Sequence, residues 1–293
     1  MCIQALNWKD CHGLSGRGYW QTVQFWGVCE LALESQIERD IHDRDFVEIC
    51  TEYQKFWGQE FFKNGIPILQ SIPIEKEIQG IKEALPHEKI SVLIENSHSF
   101  AVLECLCRKE EKLLSGKQCS KISEGVCLMI NPTGEFDLHF GRPLSKEEAH
   151  EVIKKAEEAG LVHSIYNIQS GHLFICNCCG CCCPALRGVK ALGNASHMFN
   201  ANYYAEIDTE KCTCCGICAD DRCQVEAIIE KDSTYQVIRE KCIGCGLCIG
   251  TCPAEAIKLF RKSPQESVIP PENEEAFWEE TARRRGIDFS DYK

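Results

Sequence analysis

The residues best suited to chemistry here are cysteines, 23 of them in 293 positions. Near the C-terminus Cys242, Cys245, Cys248 and Cys252 follow one another with two, two and three residues between them, and Pro253 comes next. A related run holds Cys212, Cys215, Cys218 and Cys223, with Cys214 beside Cys215. Upstream, "CNCCGCCC" sets Cys176, Cys178, Cys179, Cys181, Cys182 and Cys183 within eight positions. Thiolates are soft ligands suited to iron–sulfur clusters and to zinc. Three cysteines in one tight loop can hold three corners of a cluster, provided that the backbone curls around it. Gly244 and Gly246 permit that curl, since glycine accepts positive φ without a Cβ clash. Inward-turned N–H groups then stabilise the sulfurs. Structural zinc more often takes two cysteine pairs separated by a long loop.

The two runs belong to a repeat. "EKCTCCGICADDRCQVEAI" and "EKCIGCGLCIGTCPAEAI" align with one extra residue in the first copy, and their leading cysteines, Cys212 and Cys242, lie 30 positions apart. Such self-similarity marks a duplicated unit. Each copy follows a β-like run, "YYAEID" (203–208) or "YQVIR" (235–239), and ends in an apolar piece.

On these residues the segment from about Tyr203 to Lys262 resembles the bacterial-type two-cluster ferredoxins. The resemblance implies two buried [4Fe–4S] clusters in a pseudo-twofold fold of short hairpins and helices, and one-electron transfer at low potential. The fourth cysteine of each run serves the other cluster. Cys212, Cys215, Cys218 and Cys252 are therefore expected to hold one cluster, and Cys242, Cys245, Cys248 and Cys223 the other. The first copy departs from the pattern at the inserted residue within Ala219–Arg222, at Gln224 in place of proline, and at the spare Cys214. Asp220 and Asp221 would lie near the cluster that Cys223 joins and lower its potential.

A second thiol group is Cys105, Cys107, Cys119 and Cys127. Adjacent side chains of an extended chain point to opposite faces, so Cys178 and Cys179 do not readily serve one ion. The expected division pairs Cys176 with Cys178 and Cys181 with Cys183, with missing ligands drawn from Cys105, Cys107, Cys119 and Cys127. Such a site would be a third iron–sulfur cluster or a zinc ion. His163, His172 and His197 are read as structural. "ECLCR", "AEEAGLVH" and "ICNCCGCCC" ahead of a ferredoxin module resemble a set of iron–sulfur proteins of anaerobic bacteria and archaea. That likeness spans about Pro67 to Lys262; it implies redox work in an anaerobe and carries no particular substrate.

The elements that must position these thiols give an α+β reading. Residues 1–85 read as a mainly helical N-terminal region, residues 86–202 as a cysteine-rich α/β domain, residues 203–262 as the ferredoxin-like domain and residues 263–293 as a tail. In the first, Phe46, Ile49/Cys50, Tyr53, Phe56/Trp57 and Phe61 recur at three- and four-residue steps, Trp8, Tyr19, Trp20, Phe25 and Trp26 suggest a small aromatic core, and "GLSGRG" (13–18) a turn. "KISVLIE" (89–95) suits a buried strand. Ser145 and Glu148 form a capping box, opening a helix that buries Ala149, Val152, Ile153 and Ala156 and stops at Gly160. "HLFIC" (172–176) reads as a strand. The tail reads as an exposed linker and a short helix.

A net charge of −12 argues against nucleic acid, which needs a basic face, and suits a carrier docking on basic redox partner proteins. No apolar run reaches the roughly 18 residues of a membrane span. The N-terminus lacks a secretory pattern, and so many clustered thiols fit the reducing cytoplasm. No GxGxxG loop, GxxxxGK[ST] loop or nucleophilic triad is visible. The expected function is iron–sulfur electron transfer, as a carrier or as a component of an oxidoreductase. The alternatives are an oxidoreductase or a redox or metal sensor using the upstream cysteines.

Overall fold

The computed structural model describes residues 66–82, 84–122, 125–134, 141–286 and 288. By compactness the chain divides into residues 1–54 and 55–293, so every described residue belongs to the second unit. The helical and aromatic readings for residues 8–61 and the turn at 13–18 fall outside the described residues.

A seven-stranded, largely antiparallel sheet supports the cysteine-rich half. Its strands are β1 (Leu69–Ile72), β2 (Ser99–Leu103), β3 (Cys127–Asn131), β4 (Arg142–Leu144), β5 (Val162–Tyr166), β6 (Phe174–Cys178) and β7 (Phe199–Asn200), in the spatial order β4-β2-β3-β6-β5-β1-β7. The sheet takes β1 from the stretch read as the end of a helical region, where Leu69–Ile72 is buried throughout.

One layer of the core joins Ile72, Leu128, Ile130, Ile165 and Ile175 of the sheet to two helices, α1 (Ile90–Glu95) and α3 (Lys146–Glu158). The run at 89–95 is thus a helix and not a strand. Ile90, Leu93 and Ile94 are the buried residues, at steps of three and four, and a short apolar run satisfies either period until its neighbours choose one. Helix α3 starts as its sequence dictates. The Glu148 N–H donates to Ser145 Oγ at 3.2 Å, and the Ser145 N–H donates to Glu148 Oε2 at 2.8 Å. Its buried residues are Ala149, Val152, Ile153 and Ala156, and Gly160 comes after it with φ +72°. Helix α2 (Leu106–Ser115) begins after Cys105, and α4 (Pro184–Leu192) after Cys183.

The C-terminal module is built on two antiparallel pairs. Strands β8 (Tyr203–Ile207) and β11 (Ile257–Arg261) close its ends, while β9 (Ile228–Lys231) and β10 (Thr234–Val237) form a hairpin. Glu88, fully buried, pins this module to the sheet. It accepts from Arg261 Nη1 at 2.6 Å, Tyr203 Oη at 2.8 Å, Asn202 Nδ2 at 3.0 Å and the Leu85 N–H at 2.9 Å.

The tail is a linker, exposed along most of its length, that is tied down by backbone hydrogen bonds and leads into a short helix. Val268 donates its N–H to Asn202 Oδ1 at 3.0 Å, and the Gln169 and Ser170 N–H groups donate to the carbonyls of Pro271 and Glu272 at 2.9 and 3.1 Å. Helix α5 (Glu274–Arg285) buries Phe277, whose ring lies 5.3 Å from that of Tyr166. The apolar pair Phe277-Trp278 drives this packing, because leaving both rings in water would forfeit roughly 1.5–3 kcal/mol each.

Candidate metal centres

In the C-terminal module the repeat is visible in the backbone. Gly244 and Gly246 have φ of +62° and +77°; the corresponding Cys214 and Gly216 have +56° and +78°. Cys214 thus sits where the second copy has a glycine, and Cys215 corresponds to Cys245. The Ala227 N–H donates to Cys223 Sγ at 3.1 Å, and the Ala256 N–H donates to Cys252 Sγ at 3.4 Å, four residues on in both copies. Ala205 of β8 donates its N–H to Cys242 Sγ at 3.5 Å. These amides point at sulfur, an arrangement that stabilises thiolate charge.

One cavity, with about 320 Å³ of empty space that includes some open to solvent, is lined by Cys212, Cys215, Cys218 and Cys252 together with Ile207, Ile217, Tyr235 and Ile257. Thiols from both runs meet there, and Cys214 is not among the lining residues. Cys223 lies with the other set: its charge acts on Cys242, Cys245 and Cys248 alike. The extra residue of the first copy is taken up by a π-turn over Cys218–Arg222, in which the Cys223 N–H donates to the Cys218 carbonyl at 3.0 Å. Such a wide turn absorbs one residue without displacing the chain on either side of it. Burial drives the Cys242, Cys245 and Cys248 thiols upward, Cys245 to about 12. A buried thiolate without a cation is costly, so these sites would be charged only with a metal in place. The sulfur-directed amides, the positive-φ turns and the cavity between the runs fit a [4Fe–4S] cluster.

In the cysteine-rich half, the sheet sorts the thiols by face. Cys176 and Cys178 are two apart on β6 and share a face. Cys127 of β3 hydrogen-bonds Cys176, Cys176 contacts Cys178, Cys178 contacts Cys183, Cys183 contacts Cys107, and Cys107 contacts Cys105. Cys105 and Cys183 stand at the N-termini of α2 and α4. Hydrogen bonds from Cys107 and Cys178, opposed by burial and helped by the Leu186 and Ala185 N–H groups, hold the Cys183 thiol well below its ordinary range. Cys179, Cys181, Cys182 and Cys119 form a separate set, their sulfurs all within 4.8 Å of one another.

The expected pairing of Cys176 with Cys178 matches this arrangement, but that of Cys181 with Cys183 does not. Beyond Gly180 the chain turns, with the Cys183 N–H donating to the Cys179 carbonyl at 3.0 Å, and this sends Cys181 and Cys183 to opposite sets. Cys119 leaves Cys105, Cys107 and Cys127 to join Cys181. Sequence reasoning missed Cys179 and Cys182. Strand alternation held the signal for Cys179, because a residue after Cys178 must face away from it. His163 is structural: its Nδ1 lies 2.6 Å from Asn177 Oδ1, buried in the sheet.

The departures of the first ferredoxin copy are where the module docks on this half. The Gly180 N–H donates to Gln224 Oε1 at 2.9 Å, and Lys121 Nζ donates to Asp221 Oδ1 at 2.8 Å. Arg222 donates to the Glu157 and Glu158 carbonyls at 3.0 and 3.3 Å, at the end of α3. Asp221 is therefore engaged by Lys121, and Asp220 lies beside Gly216 of its own run.

Residues 235–258 match the family model of the 4Fe-4S binding domain, a piece that contains Cys242, Cys245, Cys248 and Cys252. Over 90 residues the chain is 32% identical to an uncharacterized ferredoxin of Methanocaldococcus jannaschii, a match that covers 31% of this chain. It spans 53% of that protein, about half its length. Among the described residues no helix is long and apolar enough to cross a membrane. The chain carries a ferredoxin-like iron–sulfur module whose matching family implies a [4Fe–4S] cluster.

Proposed function

We propose that the protein transfers single electrons through two [4Fe–4S] clusters, one held by Cys212, Cys215, Cys218 and Cys252 and the other by Cys223, Cys242, Cys245 and Cys248. The observation that carries this reading is the single cavity into which Cys212, Cys215 and Cys218 converge with Cys252 of the other run. When bound, the clusters supply one-electron redox chemistry. The chain's own part is to fix eight thiolates, direct the Ala205, Ala227 and Ala256 amides at sulfur and exclude water with Ile207, Tyr235 and Ile257, which line the cavity. The acidic surface suits basic redox partner proteins, the reduced thiols suit a cytoplasmic setting in an anaerobe, and no role with nucleic acid or in a membrane is assigned. The protein serves as a carrier or as the electron-transfer component of an oxidoreductase.

The test is oxygen-free purification with iron and acid-labile sulfide analysis and electron paramagnetic resonance of the reduced protein. About eight sulfides per chain and signals from two interacting reduced clusters are expected. A colourless, sulfide-free protein that takes up no electrons overturns the proposal.

A second reading makes the upstream cysteines an oxidoreductase centre fed by this module. It is favoured by the thiol row from Cys127 to Cys105, whose member Cys178 precedes the docking contact at Gly180 by two residues. A thiol centre that cycles during electron delivery would lose Cys105 and Cys183 alkylation under oxidation and regain it under reduction.

A further inference from the structure

We propose that Cys119, Cys179, Cys181 and Cys182 bind one soft divalent metal ion, zinc or ferrous iron, as a mononuclear tetrathiolate site. The site is separate from the ferredoxin clusters and does not rest on their assignment.

Geometry carries the argument. A tetrahedral ion with metal–sulfur bonds of about 2.3 Å sets its sulfurs about 3.8 Å apart. Cys119 Sγ lies 3.6 Å from Cys179 Sγ and 3.7 Å from Cys181 Sγ, and Cys181 Sγ lies 3.6 Å from Cys182 Sγ. A four-iron cube holds its cysteine sulfurs apart by the width of the cube, well beyond the 4.8 Å that encloses all four sulfurs here. Among the described residues no other group of His, Cys, Asp or Glu closes this tightly.

The surroundings suit the net charge of about −2 that four thiolates around a divalent ion would carry. Arg108 of α2 lies against the thiols of Cys119, Cys179 and Cys105. Its Nη2 donates to the Asn177 carbonyl at 2.9 Å, while its buried Nε and Nη1 reach no nitrogen or oxygen acceptor. A guanidinium buried in this way requires a nearby anion. The backbone N–H groups of Lys121 and Ile122 also donate to Cys119, as amides do at metal-bound sulfur. Cys179 and Cys182 are buried while Cys181 is exposed, which leaves one side open for the ion to enter.

The experiment uses the full chain purified without oxygen. Each cube contributes iron and sulfide in equal numbers, whereas a mononuclear ion adds metal without sulfide. Iron plus zinc, minus sulfide, is therefore compared between the wild type and the Cys119→Ser/Cys181→Ser double variant. The expected result is an excess that falls by about one metal per chain in the variant, with sulfide unchanged. A fall in zinc identifies a zinc site, and a fall in iron a ferrous one. An excess that does not change, or a sulfide count that falls by about four with intact folding, overturns the proposal. X-ray absorption at the edge of the excess metal in the wild type gives a second measure independent of variant folding. For zinc, four sulfurs at about 2.3 Å support the site, and a nitrogen or oxygen shell overturns it. For iron, whose clusters share the edge, a high-spin tetrathiolate Mössbauer doublet distinct from the cluster doublets takes that place, and its absence overturns the site. Sulfide thus reports on the clusters and the excess metal on this site, so the two proposals fail separately.

Discussion

The Gly180 N–H donates to Gln224 Oε1 at 2.9 Å, and the Gly180 α-carbon faces the Gln224 carbonyl so closely that a Cβ would overlap it. The turn of the cysteine-rich stretch and the residue after Cys223 therefore fit each other atom to atom. Gln224 also donates from Nε2 to the Asp221 and Arg222 carbonyls, at 3.3 and 3.4 Å, so one side chain closes the π-turn and caps the Gly180 amide. Two substitutions probe that contact. Gly180→Ala forces the backbones apart, and overpacking of this kind costs about 1–3 kcal/mol. Gln224→Pro restores the residue of the second copy, yet leaves the Gly180 N–H without its acceptor, at about 1–3 kcal/mol. Urea unfolding of the anaerobic protein measures both. A Gln224→Pro protein as stable as the wild type would show that the ferredoxin pattern, and not the docking contact, sets the residue at this position.

Glu88 and Arg261 give a pH-dependent counterpart on the other side of the module. Burial pushes the Glu88 carboxyl up, but the hydrogen bonds from Arg261, the Leu85 N–H, Asn202 and Tyr203 outweigh it, and the net shift is downward. A carboxyl lowered on folding contributes stability above its unfolded pKa of about 4.3, and that contribution is lost as pH falls through the lower folded value. Glu88→Gln removes the charge and strands Arg261, costing about 3–5 kcal/mol near neutral pH. The gap between wild type and variant, read by tryptophan fluorescence in urea, should be widest near pH 7 and shrink below about pH 4. A gap constant across that range would mean that the carboxylate charge does not hold the module.

Cys214 and Cys215 are neighbours of opposite consequence. Cys214 stands at φ +56° in the place of Gly244, exposed and outside the cavity that Cys215 lines. Cys214→Gly is expected to keep iron and sulfide unchanged and to raise stability, since a side chain in the left-handed region is strained. Cys215→Ser is expected to reduce iron by about four per chain or leave a three-iron cluster, recognisable by its resonance signal in the oxidised state. Loss of a cluster from the Cys214 variant instead would shift the register of the first run by one residue.

Much of this arrangement was legible from local rules. The capping box at Ser145, the stop at Gly160, the strands flanking each cysteine run and the sharing of one face by Cys176 and Cys178 all arise from periods and caps within a few residues. The rest depended on distant partners. "KISVLIE" has an apolar set that serves a strand or a helix, and the neighbouring α3 and sheet make it a helix. Leu69–Ile72 reads as part of a helical region until β5 and β7 are there to pair with it. Cys179 and Cys182 join Cys119 only because β3 and the segment before it bring residues some 60 positions away beside the turn, a separation that no local spacing encodes. The first ferredoxin copy read only as a departure from the pattern at its insertion, at Gln224 and at Cys214. The first two are legible as docking residues only once Lys121, Glu157 and Gly180 are seen opposite them.

Arg222 provides the last test, because its two roles separate. It donates from Nη2 and Nη1 to the Glu157 and Glu158 carbonyls at 3.0 and 3.3 Å, and from Nε to the Leu247 carbonyl at 3.3 Å. The first two bonds add donors to carbonyls in the last turn of α3, of which that of Glu157 also accepts from the Gly160 N–H, and place a cation where the helix dipole favours one; the third ties the first cysteine run to the second. Arg222→Ala removes all three and is expected to cost about 1.5–3 kcal/mol, the range for hydrogen bonds from a charged group. Arg222→Lys keeps the charge at the helix end but cannot span three carbonyls with one ammonium, so it should recover only part of that loss. Hydrogen exchange locates the effect. Faster exchange is expected at the C-terminal turn of α3 and around Gly180, with the amides of Ala227 and Ala256 still protected by their sulfur acceptors. Exchange that rises first at Ala227 and Ala256 would place Arg222 in the support of the cluster loops and not in the joint between the two halves.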